Sequence, residues 1–170
     1  MKHRGEPVDI TIRAVRADDS ARIAKAFLAL EPRSIYLRFF YKMKLFSHEH
    51  AQQQWASVDY RKNMSIIGLV QRGGFQEIVA IGSYADEGTG RAEVAFVVRE
   101  DFQGMGVTSH MLPLLESIAR ENGFSGFVAT VLKENRSMLR VFKKRYPNAK
   151  VDVGGGIDNT IIMDFNQEAA

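Results

Sequence analysis

The 170-residue chain contains no cysteine, which excludes a disulfide framework, a thiolate zinc site and a cysteine nucleophile. No apolar run approaches the roughly 20 residues that a membrane-spanning helix needs. The opening residues, Met1-Lys-His-Arg-Gly-Glu-Pro7, are basic with no apolar stretch behind them, so they do not read as a secretory signal. A soluble, cytoplasmic protein is therefore expected. His48 and His50 flank Glu49, but residues two apart do not share a helix face. His3 and His110 have no partner spacing, and with no ligand set at zinc spacing a metal site is not expected. No Ser-His-Asp order supports hydrolysis. The formal charge of +3 suits an anionic ligand. The basic residues are scattered rather than striped, so duplex nucleic-acid binding is not expected.

What is present is ordinary globular composition, 45% apolar and 25% charged, at the size of one domain. Residues 10–15 alternate like a strand, and Asp18 or Asp19 can cap a helix presenting Ile23. A short aromatic-rich helix is expected over 34–41, and a further one is capped by Ser47 and presents Ala51, Trp55 and Val58. Strands are expected at 64–70 and 77–84 around a tight turn at 72–75, then at 92–98. A helix with an apolar stripe of Val107, Met111, Leu114, Leu115, Ile118 and Ala119 follows and ends at Gly123, with Pro113 expected to bend or loosen its first turns. A strand at 126–132, a helix capped by Asn135, and two strands at 150–153 and 160–165 complete the order. That order implies an α/β (α+β) fold: a mixed, mostly antiparallel sheet with helices on both faces. One domain over 10–166 is expected, with a flexible N-terminus over 1–9 and a tail over 167–170.

The segment from 92 to 122 is the most informative. A strand, a turn containing Gly104 and Gly106, and a helix start place free N–H groups and the positive end of a helix dipole around one spot. The two glycines carry no Cβ to hold a phosphate off the backbone. The turn is no nucleotide-hydrolysing P-loop, because it lacks the Gly-Lys-Ser/Thr that would reach a γ-phosphate and magnesium. It is not Gly-x-Gly-x-x-Gly either, and hairpins rather than parallel crossovers precede it.

The run Gln103-Gly-Met-Gly-Val-Thr108 resembles the Gln/Arg-x-x-Gly-x-Gly/Ala acetyl-CoA motif of the GNAT N-acetyltransferases, with Thr108 where glycine or alanine is usual. Three further runs resemble the bacterial Pat-type protein lysine acetyltransferases: Ser34-Ile-Tyr-Leu-Arg-Phe-Phe40, Ala92-Glu-Val-Ala-Phe96 and Leu132-Lys-Glu-Asn-Arg-Ser-Met138. The resemblance implies an acetyl-CoA-dependent enzyme whose acceptor is a lysine on a protein such as an acyl-CoA synthetase, with a small-molecule amine acceptor, or a non-catalytic module that senses coenzyme A or binds a partner, as the alternative readings. Pat-type proteins often carry an additional regulatory domain; only the transferase domain is expected here.

By the same resemblance, Phe96, Val97 and Val98 would bond the pantetheine arm. The amides of Gln103, Gly104, Met105, Gly106, Val107, Thr108 and Ser109 would hold the diphosphate. Asn135 would touch the pantetheine or adenosine side, and its simpler role as a helix cap is compatible with that. Glu93 matches the Pat-type catalytic glutamate. A lysine ammonium with a pKa of about 10.4 cannot attack a thioester until a base removes its proton. Glu93 lies roughly 10 Å along the strand from Phe96, which calls for a water relay or a bulge. Glu100 and Asp101 are poorer bases because they would sit beside phosphates. Phe142 occupies the place where many relatives carry a proton-donating tyrosine, with Tyr146 one turn on as the alternative. Tyr36 and Arg38 are candidate substrate contacts, Phe39 and Phe40 core residues. Arg136, Arg140, Lys143, Lys144 and Arg145 read as a solvated face, with one or two of them available to the 3′-phosphate or to an acidic acceptor surface.

Overall fold

Apolar patterning decides which strands are central. In the computed structural model, which describes residues 2–3, 5–28 and 58–165, β4 (Asn63–Arg72) is buried without interruption from Met64 to Val70. That is the pattern of a strand covered on both faces. β5 (Phe75–Asp86) follows across a tight turn at Gly73 and Gly74, and β6 (Arg91–Val98) pairs antiparallel with it. The first strand of this sheet, β3 (Thr11–Ala14), lies on the far side of β4. The remaining strands are β7 (Gly126–Leu132), β8 (Lys150–Asp152) and β9 (Asp158–Asp164). The seven-stranded order is β3-β4-β5-β6-β7-β9-β8, antiparallel everywhere except between β6 and β7. Two short strands, β1 (Lys2–His3) and β2 (Glu6–Pro7), pair with each other around Gly5, inside the stretch expected to be flexible.

Helices cover both faces, as the element order implies. On one face α1 (Ser20–Leu28) packs Ile23 and Ala24 against Ile67, Ile81 and Val97. On the other, α2 (Val107–Glu121) and α3 (Arg136–Arg145) bury Met111, Leu115 and Phe142 against Val94, Phe96, Phe127 and Ile161. The helix assignment of α2 runs unbroken through Pro113, and Gly123 follows its end with φ 89°. The expected helices over 34–41 and after Ser47 lie outside the described residues. So do Tyr36, Arg38, Phe39, Phe40, His48, His50, Ala51, Trp55 and the tail over 167–170.

Asp19 anchors the start of α1 differently from the cap expected of it. Its buried carboxylate takes both arms of the Arg13 guanidinium (2.7 and 2.8 Å), Arg22 (3.0 Å) and the Arg16 backbone N–H (2.7 Å). Burial alone would raise its pKa, but these donors outweigh it and hold the carboxyl below its ordinary value. The folded pKa is therefore lower than the unfolded one. The stabilisation is complete above the ordinary carboxylate range and is lost as pH falls through the folded value. Asp19→Asn should destabilise the fold by about 2 kcal/mol at neutral pH, and the gap to the wild type should narrow as pH falls below the ordinary carboxylate range. Urea unfolding across a series of pH values measures both.

Candidate active site

The site exists because two neighbouring strands part. β6 and β7 keep parallel register only at Arg91–Gly126, Ala92–Phe127 and Glu93–Val128. Beyond these pairs β6 stays with β5 as far as Val98, and β7 stays with β9 as far as Leu132. A wedge therefore opens in the middle of the sheet, with backbone groups of β6 left along one side. The Arg99 N–H to Val79 carbonyl bond (2.8 Å) fixes the antiparallel alternation. Val97 turns its peptide groups toward β5, while Phe96 and Val98 present theirs to the wedge. The Val98 carbonyl accepts from the Gln103 side-chain amide at 2.9 Å. Of the strand residues expected to bond a pantetheine arm, Phe96 and Val98 are thus oriented to do so. Val97 contributes only wall.

The wedge widens into a cavity of about 340 Å³. Its lining brings together Glu93, Phe96, Val97, Val98, Gln103, Gly104, Gly106, Val107, Thr108, Ser109 and Asn135. Met105 is excluded from the lining, because its side chain packs half-buried on the cluster of Val70, Val79 and Phe102. The opposite wall contains Thr130, Val131, Met138, Arg140, Val141 and Phe142, mostly residues to which the sequence reading gave no part in the site. The available signal was Asn135: a helix that starts at the cavity must carry neighbouring positions along its wall.

The glycine turn leaves backbone donors free at a helix start. Gly104 and Gly106 have φ of 77° and 82°, and left-handed Gly106 is the residue from which α2 departs, with no side chain capping the helix. The first bond of the helix is His110 N–H to the Gly106 carbonyl (3.2 Å), so the amides of Val107, Thr108 and Ser109 precede it without an intrahelical partner. Three donors and the positive dipole end therefore face the cavity. The His110 ring fixes this entry from behind. Its Nδ1–H donates to the Gly106 carbonyl at 2.7 Å, the tautomer required because a carbonyl only accepts. Beneath the turn, Phe102 is fully buried, with the guanidinium of Arg99 5.1 Å from its ring centre and that of Arg72 at 5.8 Å. Arg99 also forks onto Asp101 (2.7 and 3.0 Å). Asp101 is therefore committed to an ion pair.

Glu93 stands at the apex, the last β6 residue paired with β7, and its side chain is exposed and unbonded among the described residues. β6 keeps unbroken register with β5 from Ala92 to Val98, so no bulge shortens its path to Phe96. Phe96 itself turns its ring across Gly82, where an added Cβ would lie 2.7 Å from the ring, and meets Phe142 at 6.3 Å between centroids. The floor is consequently apolar, and Phe142 brings no proton to it. Tyr146 does not replace it. Its hydroxyl donates to Glu116 at 2.6 Å, away from the cavity lining, and burial together with that carboxylate drives its pKa upward. Asn135 lines the cavity and also caps α3, accepting from the Met138 N–H at 3.4 Å.

No group of three or more His, Asp or Glu side chains placed to hold a metal occurs among the described residues. No helix among them is long and apolar enough to cross a membrane.

Comparison with known proteins is consistent with this geometry. The family model described as the acetyltransferase (GNAT) family matches residues 30–146. An acetyltransferase of Pseudomonas aeruginosa, PA5475, is 30% identical over 132 residues, covering 76% of this chain and 69% of the relative. The crystal structure of the GNAT domain of S. lividans PAT superposes with a TM-score of 0.78 at 26% identity, covering 90% of this chain and 89% of that one. The fold is also shared with yncA of Salmonella typhimurium, solved with its cofactor acetyl-CoA, at a TM-score of 0.72 and 16% identity over 95% of this chain and 96% of that one.

Proposed function

This chain belongs to the acetyltransferase (GNAT) family, and from that premise we propose that it moves the acetyl group of acetyl-CoA directly to the ε-amine of a lysine on a protein such as an acyl-CoA synthetase. The observation that carries the chemistry is the position of Glu93: an unbonded carboxylate at the apex of the wedge whose sides hold the cradle and the open edge of β6. The acceptor class rests on the Pat-type runs at 34–40, 92–96 and 132–138, together with the likeness to the GNAT domain of S. lividans PAT.

The residues fit acetyl-CoA, which as bound co-substrate supplies an activated thioester. The amides of Val107, Thr108 and Ser109 hold the diphosphate, and the Phe96 and Val98 peptide groups align the pantetheine arm. Glu93 accepts the proton of the incoming ammonium through a water, releasing the lone pair for attack. The Phe96 N–H then donates toward negative charge developing on the acyl oxygen. The cavity contains no cysteine and no hydroxyl paired with a base among the described residues, so transfer is direct, without a covalent acyl-enzyme. Solvent reprotonates the leaving thiolate.

Thiol release from acetyl-CoA tests the reading, with an acyl-CoA synthetase compared against a polyamine, an amino acid and an aminoglycoside. The expected result is a kcat/KM for the protein acceptor at least about 100-fold above that of any small amine. A preferred small amine would overturn the protein-lysine assignment. Tight acetyl-CoA binding without turnover on any acceptor would make the domain a sensor.

A further inference from the structure

Resting on that transfer reading, we propose that Thr130 is a positioning residue for the reaction: its hydroxyl holds the water through which Glu93 deprotonates the acceptor amine. β7 lies inside the sheet, between β6 and β9, and its residues are buried with one exception. The exception is Thr130, which is exposed and lines the cavity together with Glu93. Its hydroxyl has no hydrogen-bond partner among the described residues. The other hydroxyls of the lining are differently placed. Thr108 and Ser109 belong to the cradle, and Ser137 sits on α3, where it donates to Asn135 at 3.4 Å.

Strand register puts this hydroxyl on the side of the sheet that Glu93 faces. Glu93 pairs with Val128, so their side chains share a face, and Thr130 lies two residues beyond Val128 on the same strand. Glu93–Val128 is also the last pair before β6 and β7 part. Thr130 is therefore the first β7 residue on this face without a β6 partner. Strand spacings put its Cα about 8 Å from that of Glu93 along the diagonal, a span that a glutamate side chain, one water and a hydroxyl bridge. Counted from the last pair, Thr130 stands at the level of Ala95, between the base and the Phe96 N–H. The charged side chains on this face of the flanking strands are Arg91 and Asp164, paired at 2.8 Å, Asp158 at the start of β9, and Lys150 and Asp152 on β8. None of these lines the cavity, so Glu93 is the carboxylate within reach of that water.

A relay water works only if its lone pair meets the ammonium while one of its hydrogens meets the base. Thr130 Oγ accepts the second hydrogen, which fixes that orientation. In the transfer the ammonium N–H bond breaks and its electron pair stays on nitrogen. The water oxygen takes this proton, and the water O–H aimed at Glu93 breaks to protonate the carboxylate. Thr130 itself exchanges no proton. Valine keeps the shape of the residue and its preference for a strand but removes Oγ, whereas serine keeps Oγ.

Steady-state kinetics of Thr130→Val and Thr130→Ser test the assignment, with whichever of the acyl-CoA synthetase, polyamine, amino acid and aminoglycoside the wild type prefers. Thr130→Val should lower kcat by about 10- to 100-fold at neutral pH and keep acetyl-CoA affinity, titrated separately, within about twofold. Thr130→Ser should recover kcat to within about threefold of the wild type. The valine deficit should shrink as pH approaches the pKa of the acceptor, where neutral amine comes from solution. Added to Glu93→Gln, Thr130→Val should cost less than about a further threefold, because the two residues serve one proton path. A wild-type kcat in Thr130→Val, equal losses in the valine and serine variants, or a full further loss on top of Glu93→Gln overturns the proposal. A loss of coenzyme affinity that parallels the loss of kcat also overturns it. A wild type that binds acetyl-CoA and turns over no acceptor overturns the transfer reading itself, and this assignment with it.

Discussion

Glu93→Gln should lower kcat by about 10²- to 10⁴-fold at neutral pH while leaving acetyl-CoA affinity within about twofold. The substitution keeps the shape of the side chain and removes only its ability to accept a proton. Glu93 is exposed at the end of the β6–β7 pairing and bonds nothing among the described residues, so the fold has little stake in its charge. The expected effect is large because a lysine of pKa about 10.4 leaves fewer than one amine in about a thousand neutral at pH 7. The same arithmetic gives the loss a pH signature. Raising the pH toward the pKa of the acceptor delivers neutral amine from solution, so the gap between variant and wild type should narrow. Steady-state rates from neutral to alkaline pH, with separate binding titrations, distinguish the cases. A gap independent of pH, or a parallel loss of coenzyme affinity, would assign Glu93 a structural role.

Gly106→Val should weaken acetyl-CoA binding by about 30- to 100-fold, the loss of one or two charge-assisted hydrogen bonds. Gly106 has φ 82°, which a β-branched residue tolerates badly. An added Cβ meets nothing closer than the His110 ring at 3.8 Å, so the cause is backbone strain rather than a clash. The chain relieves that strain by rotating residue 106 out of the left-handed region, which re-aims the peptide planes that lead into Val107 and Thr108. Donors that converge on one point no longer do so. Turnover of an S-acetylpantetheine fragment, which has no diphosphate, should fall by less than about threefold. Equal losses for fragment and full coenzyme would show that the turn supports the fold rather than the phosphate.

The cradle was legible in sequence because its determinants are local. Two glycines between an alternating strand and an apolar-periodic helix permit few backbone paths, and the structure shows left-handed conformations at Gly104 and Gly106. The wedge was less legible. It depends on where β6 and β7 cease to pair, and both are apolar strands whose composition does not change at Glu93 or Val128. For the same reason Val97 was grouped with Phe96 and Val98: alternation reveals which side chains share a face, but the hydrogen-bonding side of a strand is set by its partner. The basic residues of α3 were read as a solvated face with one or two available to an anion, and which of them borders the cavity, Arg140, depends on a tertiary arrangement that spacing does not reveal. Asp19 was legible as a residue at a helix start and not as the acceptor of Arg13, six residues away on a neighbouring strand.

The most direct test of the cradle is an amide-resolved NMR titration of the ¹⁵N-labelled protein with acetyl-CoA. The account predicts that the N–H resonances of Val107, Thr108 and Ser109 move downfield together at saturation and gain protection from hydrogen exchange, as amides do on bonding an anion. Saturable binding that leaves these three resonances unmoved while perturbing another surface would contradict it.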